Sequence, residues 1–203
     1  MRINSKTISE RTSFGSIPLY RATLMNKKLF KAPVPVEAFV SIVEKSDAKR
    51  GDFKPKNWFF SHYGLDILSQ MEENLFSFRN SFYGFLAVEI PSFKEPKQVK
   101  AIASYFFGKE NLVLPWLQSK SETAFFSQIK GAGSLIIYAL SKIAQRNYAN
   151  GIFLNSSSWA RKFYKKLGFD EIAIKEFQMP KQKFQKMQKT LEEKFQIKEA
   201  LKS

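Results

Sequence analysis

Residues 128–169 read QIKGAGSLIIYALSKIAQRNYANGIFLNSSSWARKFYKKLGF, and the order of elements they spell decides the fold. Gly131 and Gly133 stand just before Leu135, Ile136, Ala139, Leu140, Ile143 and Ala144, which are spaced as one face of a helix. A glycine-rich turn opening a helix aims several unpaired N–H groups at one point, where the helix dipole also favours negative charge. Such a turn suits a phosphate, with Lys130 as an adjacent cation. The same G-x-G also serves as a plain tight turn or a close packing contact, and alone it does not choose between these uses. Farther on, Gly151-Ile-Phe-Leu154 reads as a short buried strand. Ser156 or Ser157 reads as the N-cap of a second helix carrying Ala160, Phe163, Tyr164 and Leu167, and Gly168 as its stop before a strand that begins at Phe169. The predicted order is turn, helix, strand, helix, strand.

With these motifs placed, the sequence resembles the GNAT superfamily of acetyl-CoA-dependent N-acetyltransferases. The pyrophosphate loop of that family, Q/R-x-x-G-x-G/A, is matched by Gln128, Gly131 and Gly133. Its later signature, an alanine three residues ahead of F-Y-x-x-x-G-F, is matched by Ala160, Phe163, Tyr164, Gly168 and Phe169. The resemblance implies an α/β fold with a mixed, mostly antiparallel central sheet flanked by helices, filling residues 1–179. Residues 180–203 are then an added basic amphipathic helix. It also implies acetyl-CoA as cosubstrate, no metal, and direct transfer to an amine within a ternary complex.

The site residues follow from the same resemblance. Gln128, Ile129 and the backbone N–H groups of Lys130, Gly131, Ala132, Gly133 and Ser134 are expected around the pyrophosphate. The exposed edge of a strand over residues 112–119, at Leu117, is expected to pair with pantetheine amides. Tyr164 matches the position of the general acid that protonates the departing CoA sulfur. A phenol of ordinary pKa lies only about 1–2 units above a thiol, so proton sharing between them is energetically reasonable. Ser157 falls where many relatives carry a CoA-contacting asparagine, and Asn155 is the nearby residue able to compensate.

Composition sets the outer bounds. With 203 residues, 44% of them hydrophobic and 21 of them phenylalanine, the chain can bury one sizeable core. Cysteine is absent, which excludes disulfides, thiolate metal sites and a cysteine nucleophile and fits a reducing cytoplasm. With one histidine and no G-x-S-x-G element, a serine triad lacks support. Neither a signal peptide nor a run of roughly 20 apolar residues is present, so a soluble protein is expected. Net charge is +15. That attracts polyanions, which means RNA, an acidic protein, an anionic membrane surface or the phosphates of CoA itself. A solvated basic surface without a dedicated partner accounts for it equally well.

The remaining segments are read by periodicity. Residues 17–22 are expected as the first strand, and residues 36–43 and 64–78 as helices, the former because Val36, Phe39, Val40 and Val43 share a helical face behind Pro35. The aromatic stretch 49–63, with the lone His62, lies where the family builds part of its acceptor wall. Residues 83–90 and 99–107 are expected as central strands, with 91–97 as their hairpin link, and residues 112–119 as the strand ahead of the phosphate loop. The spacing from Leu117 to Gln128 is longer than in most relatives. Either that strand runs on to Thr123 or residues 119–127 form an insertion. Residues 170–179 read as one strand ended by Pro180. Residues 181–202 read as a helix with Phe184, Met187, Leu191, Phe195 and Ile197 or Leu201 on one face, which packs on the domain, pairs with a second copy, or meets a membrane or partner. The general base is set by no motif, with Glu89, Glu110, Glu122, His62 and an ordered water as candidates. A catalytically weak GNAT-like module that binds nucleic acid, membrane or protein through its basic surface is the competing function.

Overall fold

Alternation, rather than helical spacing, governs the first segments. The computed structural model describes residues 17–27, 32–43, 83–91, 98–119 and 129–200. β1 (Ile17–Asn26) and β2 (Val34–Ile42) form an antiparallel pair running from Ile17 opposite Ile42 to Asn26 opposite Val34. The helix expected over residues 36–43 is therefore a strand. Val36, Phe39, Val40 and Val43 fit a helical face, but the core uses Val36, Ala38, Val40 and Ile42 at a period of two. The density of β-branched residues in so short a segment favours the pleated surface. The segment expected as a helix at 64–78, the aromatic stretch 49–63 with His62, the link 92–97 and the stretch 120–128 lie outside the described residues.

β3 (Tyr83–Ile90), β4 (Gln98–Phe107) and β5 (Leu112–Ser119) continue the sheet as antiparallel neighbours. Next come the two-residue β6 (Ile129–Lys130), helix α1 (Ala132–Arg146), β7 (Gly151–Asn155) and helix α2 (Arg161–Leu167), closed by Gly168 in the left-handed conformation. The strand expected over residues 170–179 is a hairpin. β8 (Asp170–Ala173) turns through Lys175, at φ 66°, into β9 (Glu176–Pro180). A 3-10 turn at Lys181–Lys183 leads into helix α3 (Phe184–Phe195) and β10 (Lys198–Glu199). β9 pairs with β7 ahead of α3, and β10 returns to the sheet after it, beside β1.

The strand order is β10-β1-β2-β3-β4-β5-β7-β9-β8, with β6 on β1. Among the described residues β5 and β7 are the one parallel pair, joined only over Leu112–Leu114 and Ile152–Leu154. Pro115 follows, with no N–H to give, and opposite it the β4–β5 register slips between Ser104 and Phe106. Past that point β5 stays with β4 as far as Ser119 opposite Ala101. Its other edge carries no strand among the described residues.

α1 crosses one face of this sheet and buries Leu135, Ile136, Ala139, Leu140 and Ala144 against Leu24, Val40, Leu86, Ala103, Leu114 and Ile152. Leu135 is fully buried, so Leu135→Ala is expected to lower the unfolding free energy by about 2–5 kcal/mol in urea titration. A loss under about 1 kcal/mol would deny α1 its place as the packing centre.

α3 runs antiparallel to α1. Its Phe184, Met187, Leu191 and Phe195 are buried, and polar pairs register the two helices. The Gln188 side-chain amide donates to Ser141 Oγ at 3.0 Å, and the Tyr138 hydroxyl donates to Glu192 at 2.7 Å. Desolvation, followed by that contact with Glu192, pushes the Tyr138 hydroxyl above the ordinary phenol range, so it remains a donor. No helix among the described residues is long and apolar enough to cross a membrane.

Candidate functional site

The turn ahead of α1 is held from three sides. Ile129 and Lys130 pair with Asn26 and Met25 of β1, which fixes the approach of the chain. Gly131 then takes φ 107°, a conformation that side-chain-bearing residues rarely adopt, and a Cβ there would lie 2.7 Å from the Phe195 ring of α3. Gly133 is required for closeness: its Cβ would lie 3.3 Å from both the Phe163 ring of α2 and the Ser119 hydroxyl. The first α1 hydrogen bond runs from Leu135 N–H to the Gly131 carbonyl at 3.0 Å. The N–H groups of Ala132, Gly133 and Ser134 therefore have no partner within the helix. No side chain caps this end, and no acidic residue sits in its first turn.

These groups open into a cleft of about 940 Å³ between α1, α2 and α3. Of the residues expected to hold the pyrophosphate, the cleft brings together Ile129, Lys130, Gly131, Ala132, Gly133 and Ser134. Gln128 lies outside the described residues. Leu117 is half-buried on β5 opposite Ala103, on the strand segment that has left β7, and does not line the cleft. Asn155 is exposed at the end of β7 opposite Glu176. Ser157 accepts hydrogen bonds at its carbonyl from Ser156 Oγ at 2.8 Å and from Ala160 N–H at 3.1 Å. The helix cap expected at Ser156 or Ser157 is thus a turn, and α2 starts after Ala160.

Tyr164 is buried in an aromatic nest, 5.0 Å from Phe163, 5.5 Å from Phe169 and 6.0 Å from Phe177 between ring centroids. Burial pushes its hydroxyl well above the ordinary phenol range. The gap to a thiol is accordingly wider than a solvent-exposed phenol has, and the group is suited to donating a hydrogen bond to developing negative charge while keeping its proton at neutral pH.

Two basic residues of α2 are already engaged. Arg161 and Lys165 hold Glu171 at 2.6 and 2.8 Å. The hydrogen bond from Lys165, and then that from Arg161, keeps the Glu171 carboxyl below the usual carboxylate range against an opposing desolvation effect. Of the base candidates, Glu89 is buried on β3 opposite Val99, toward the Ser119 end of the sheet rather than beside Pro115. Glu110 is exposed in the β4–β5 turn, and Glu122 and His62 lie outside the described residues.

The wall that sequence reasoning missed is α3, which contributes Lys183, Lys186, Met187, Thr190, Leu191 and Lys194. These recur at intervals of three and four residues along one border of the apolar stripe, and that regularity was the available signal.

Residues 126–191 match the family described as Acetyltransferase (GNAT) domain. That match covers about a third of the chain. Solved structures share its fold at low sequence identity. A tyrosine-to-phenylalanine mutant of KacT is 8% identical with a TM-score of 0.54, covering 74% of this chain and 98% of that one. AtaTR bound with AcCoA is 12% identical with a TM-score of 0.53, covering 74% and 97%. AtaT complexed with acetyl-methionyl-tRNAfMet is 13% identical with a TM-score of 0.53, covering 74% and 98%. No curated protein matches the chain. The matched segment takes in the amide turn, α2 with Tyr164, and most of α3.

Proposed function

We propose that this protein is an N-acetyltransferase that moves an acetyl group from acetyl-CoA to an amine by direct transfer. The observation that carries the reading is the uncapped first turn of α1, whose N–H groups open into a lysine-lined cleft inside the segment that matches the GNAT domain. Acetyl-CoA supplies an activated thioester, so the chain needs to position the reactants, accept an amine proton and stabilise a departing thiolate. The amides of Ala132, Gly133 and Ser134 hold the diphosphate. The edge of β5 beyond Pro115 orients the pantetheine arm toward the β5–β7 divergence. The amine nitrogen bonds to the carbonyl carbon as the carbon–sulfur bond breaks. The Tyr164 hydroxyl donates to the sulfur as that bond breaks, and the amine proton leaves through a base or an ordered water.

The acceptor to test first is the amine of an aminoacyl-tRNA. The net charge of +15 suits an acceptor carried on a polyanion, and AtaT, which has the same fold, has been captured with acetyl-methionyl-tRNAfMet. Acetyl-CoA at a hundredfold excess over its Kd is expected to raise stability by about 2.7 kcal/mol in thermal unfolding. Release of free CoA thiol should then depend on the amine supplied. No thermal shift would remove the reading. A shift without thiol release for any amine, aminoacyl-tRNA included, would leave a binding module in its place.

A further inference from the structure

α2 does little to hold itself in place. It has seven residues, no side-chain cap and no acidic residue in its first turn, and it opens on Arg161, where the helix dipole disfavours a cation. Tyr164 is the one residue of α2 that is buried. The setting of this helix therefore depends on what it lies on, and that is the β8–β9 hairpin.

Glu171 of β8 and Phe177 of β9 stand directly opposite each other, so their side chains share one face of the hairpin. Both reach α2. The Phe177 ring lies 6.0 Å from the Tyr164 ring. Glu171 Oε2 accepts from Arg161 Nε at 2.9 Å and Arg161 Nη2 at 2.6 Å, and meets Lys165 Nζ at 2.8 Å. Arg161 precedes Tyr164 by three residues and Lys165 follows it by one, so all three side chains fall on the side of α2 turned to the hairpin. The Glu171 side chain is 17% exposed against 56% for Arg161 and 49% for Lys165, which places the anchor on the sheet and the cations that grip it on the helix. The register slip between Glu171 and Ala173 is a bulge of the kind that re-aims a side chain. Ring packing is non-directional and permits α2 to roll about its axis, whereas contacts that converge on one carboxylate oxygen are directional and oppose the roll.

We propose that Glu171 is a positioning residue that fixes the roll of α2 and with it the direction of the Tyr164 hydroxyl. This rests on the reading that Tyr164 donates to the departing sulfur. A displacement of about 1 Å at a reacting group costs up to about 10²-fold in rate. Ion pairs with exposed cations contribute little to stability, so the effect of Glu171 on rate is separable from any effect on folding.

The test is a mutant cycle. Glu171→Gln keeps the side-chain shape and removes its charge, and Arg161→Gln removes the cation from the other side. Each is made in the wild type and in Tyr164→Phe, with acetyl transfer followed by release of CoA thiol. Glu171→Gln is expected to lower kcat about tenfold and Arg161→Gln about threefold, with the Kd for acetyl-CoA within about twofold of the wild type. In Tyr164→Phe neither is expected to cost more than about twofold, because the hydroxyl they direct is gone. Equal losses in the two backgrounds overturn the proposal, as does an unchanged kcat in both variants or a weakening of acetyl-CoA that accounts for the loss. A second readout needs no turnover. With tyrosine labelled by carbon-13 at its ζ carbon, the Tyr164 resonance is assigned by its loss in Tyr164→Phe, and it is expected to broaden or double in Glu171→Gln. A single unmoved line there overturns the proposal. If the wild type releases no thiol with any amine while this resonance responds to Glu171→Gln, the positioning of Tyr164 stands and the acetyl-transfer reading is what fails.

Discussion

Replacing Tyr164 by phenylalanine is expected to lower kcat by about 10²–10³-fold, the range for removal of one hydrogen-bond donor to developing negative charge, while the Kd for acetyl-CoA stays close to that of the wild type. The ring nest explains the separation. Phe163, Phe169 and Phe177 pack against the Tyr164 ring, and phenylalanine keeps that ring while losing the hydroxyl. Because burial raises the hydroxyl's pKa, it stays protonated through neutral pH, and the wild-type rate should show no alkaline decline from this group below about pH 10. The sign for stability is the same. The neutral form is the one that folds, so any contribution is complete below the unfolded phenol value and is lost as pH rises above it. Matching rates for wild type and variant would take the proton donor away from Tyr164.

The second large effect is expected at the amide turn. Gly131→Asp should abolish measurable acetyl-CoA binding, a loss of about a hundredfold or more, through three causes that act together. The backbone is at φ 107°, which an aspartate occupies only with strain of about 1–3 kcal/mol. The new Cβ meets the Phe195 ring at 2.7 Å and the Leu24 side chain at 3.1 Å. The added carboxylate would repel the diphosphate that the proposed reading seats at this turn. Gly131→Ala carries the strain and the contact without the charge, so the difference between the two variants in calorimetry isolates the electrostatic part. Far-UV circular dichroism establishes that each is folded. Unchanged affinity in a folded Gly131→Asp protein would move the phosphate site elsewhere.

How much of this could be read from the sequence depended on whether a residue's role was local. α1 was legible because Leu135, Ile136, Ala139, Leu140 and Ala144 announce one buried face, and the structure buries all of them. Gly131 and Gly133 were legible as a turn because a missing Cβ is itself a chemical statement. β2 was misread because eight residues fit both periods, and only its pairing with β1 and β3 decides between them. The β8–β9 hairpin was misread because its turn passes through Ile174 and Lys175, which carry no Gly, Pro or Asn to mark it. The lysines of α3 were visible, but a lysine beside an apolar stripe looks the same whether it faces water or a cleft. Only the tertiary placement of α2 opposite α3 separates Lys186 from Lys189.

β1 receives β6, which leads into the amide turn, on one part of its length and β10 on another, so two segments from the second half of the sequence dock on the same early strand. Contacts of such long separation are slow to form, because loop closure has to precede the energetic return. Refolding from denaturant should accordingly recover far-UV ellipticity from α1 and the β3–β4–β5 meander before it recovers cofactor affinity. Closure of the amide turn against β1 is thus a late event in the protein's own assembly.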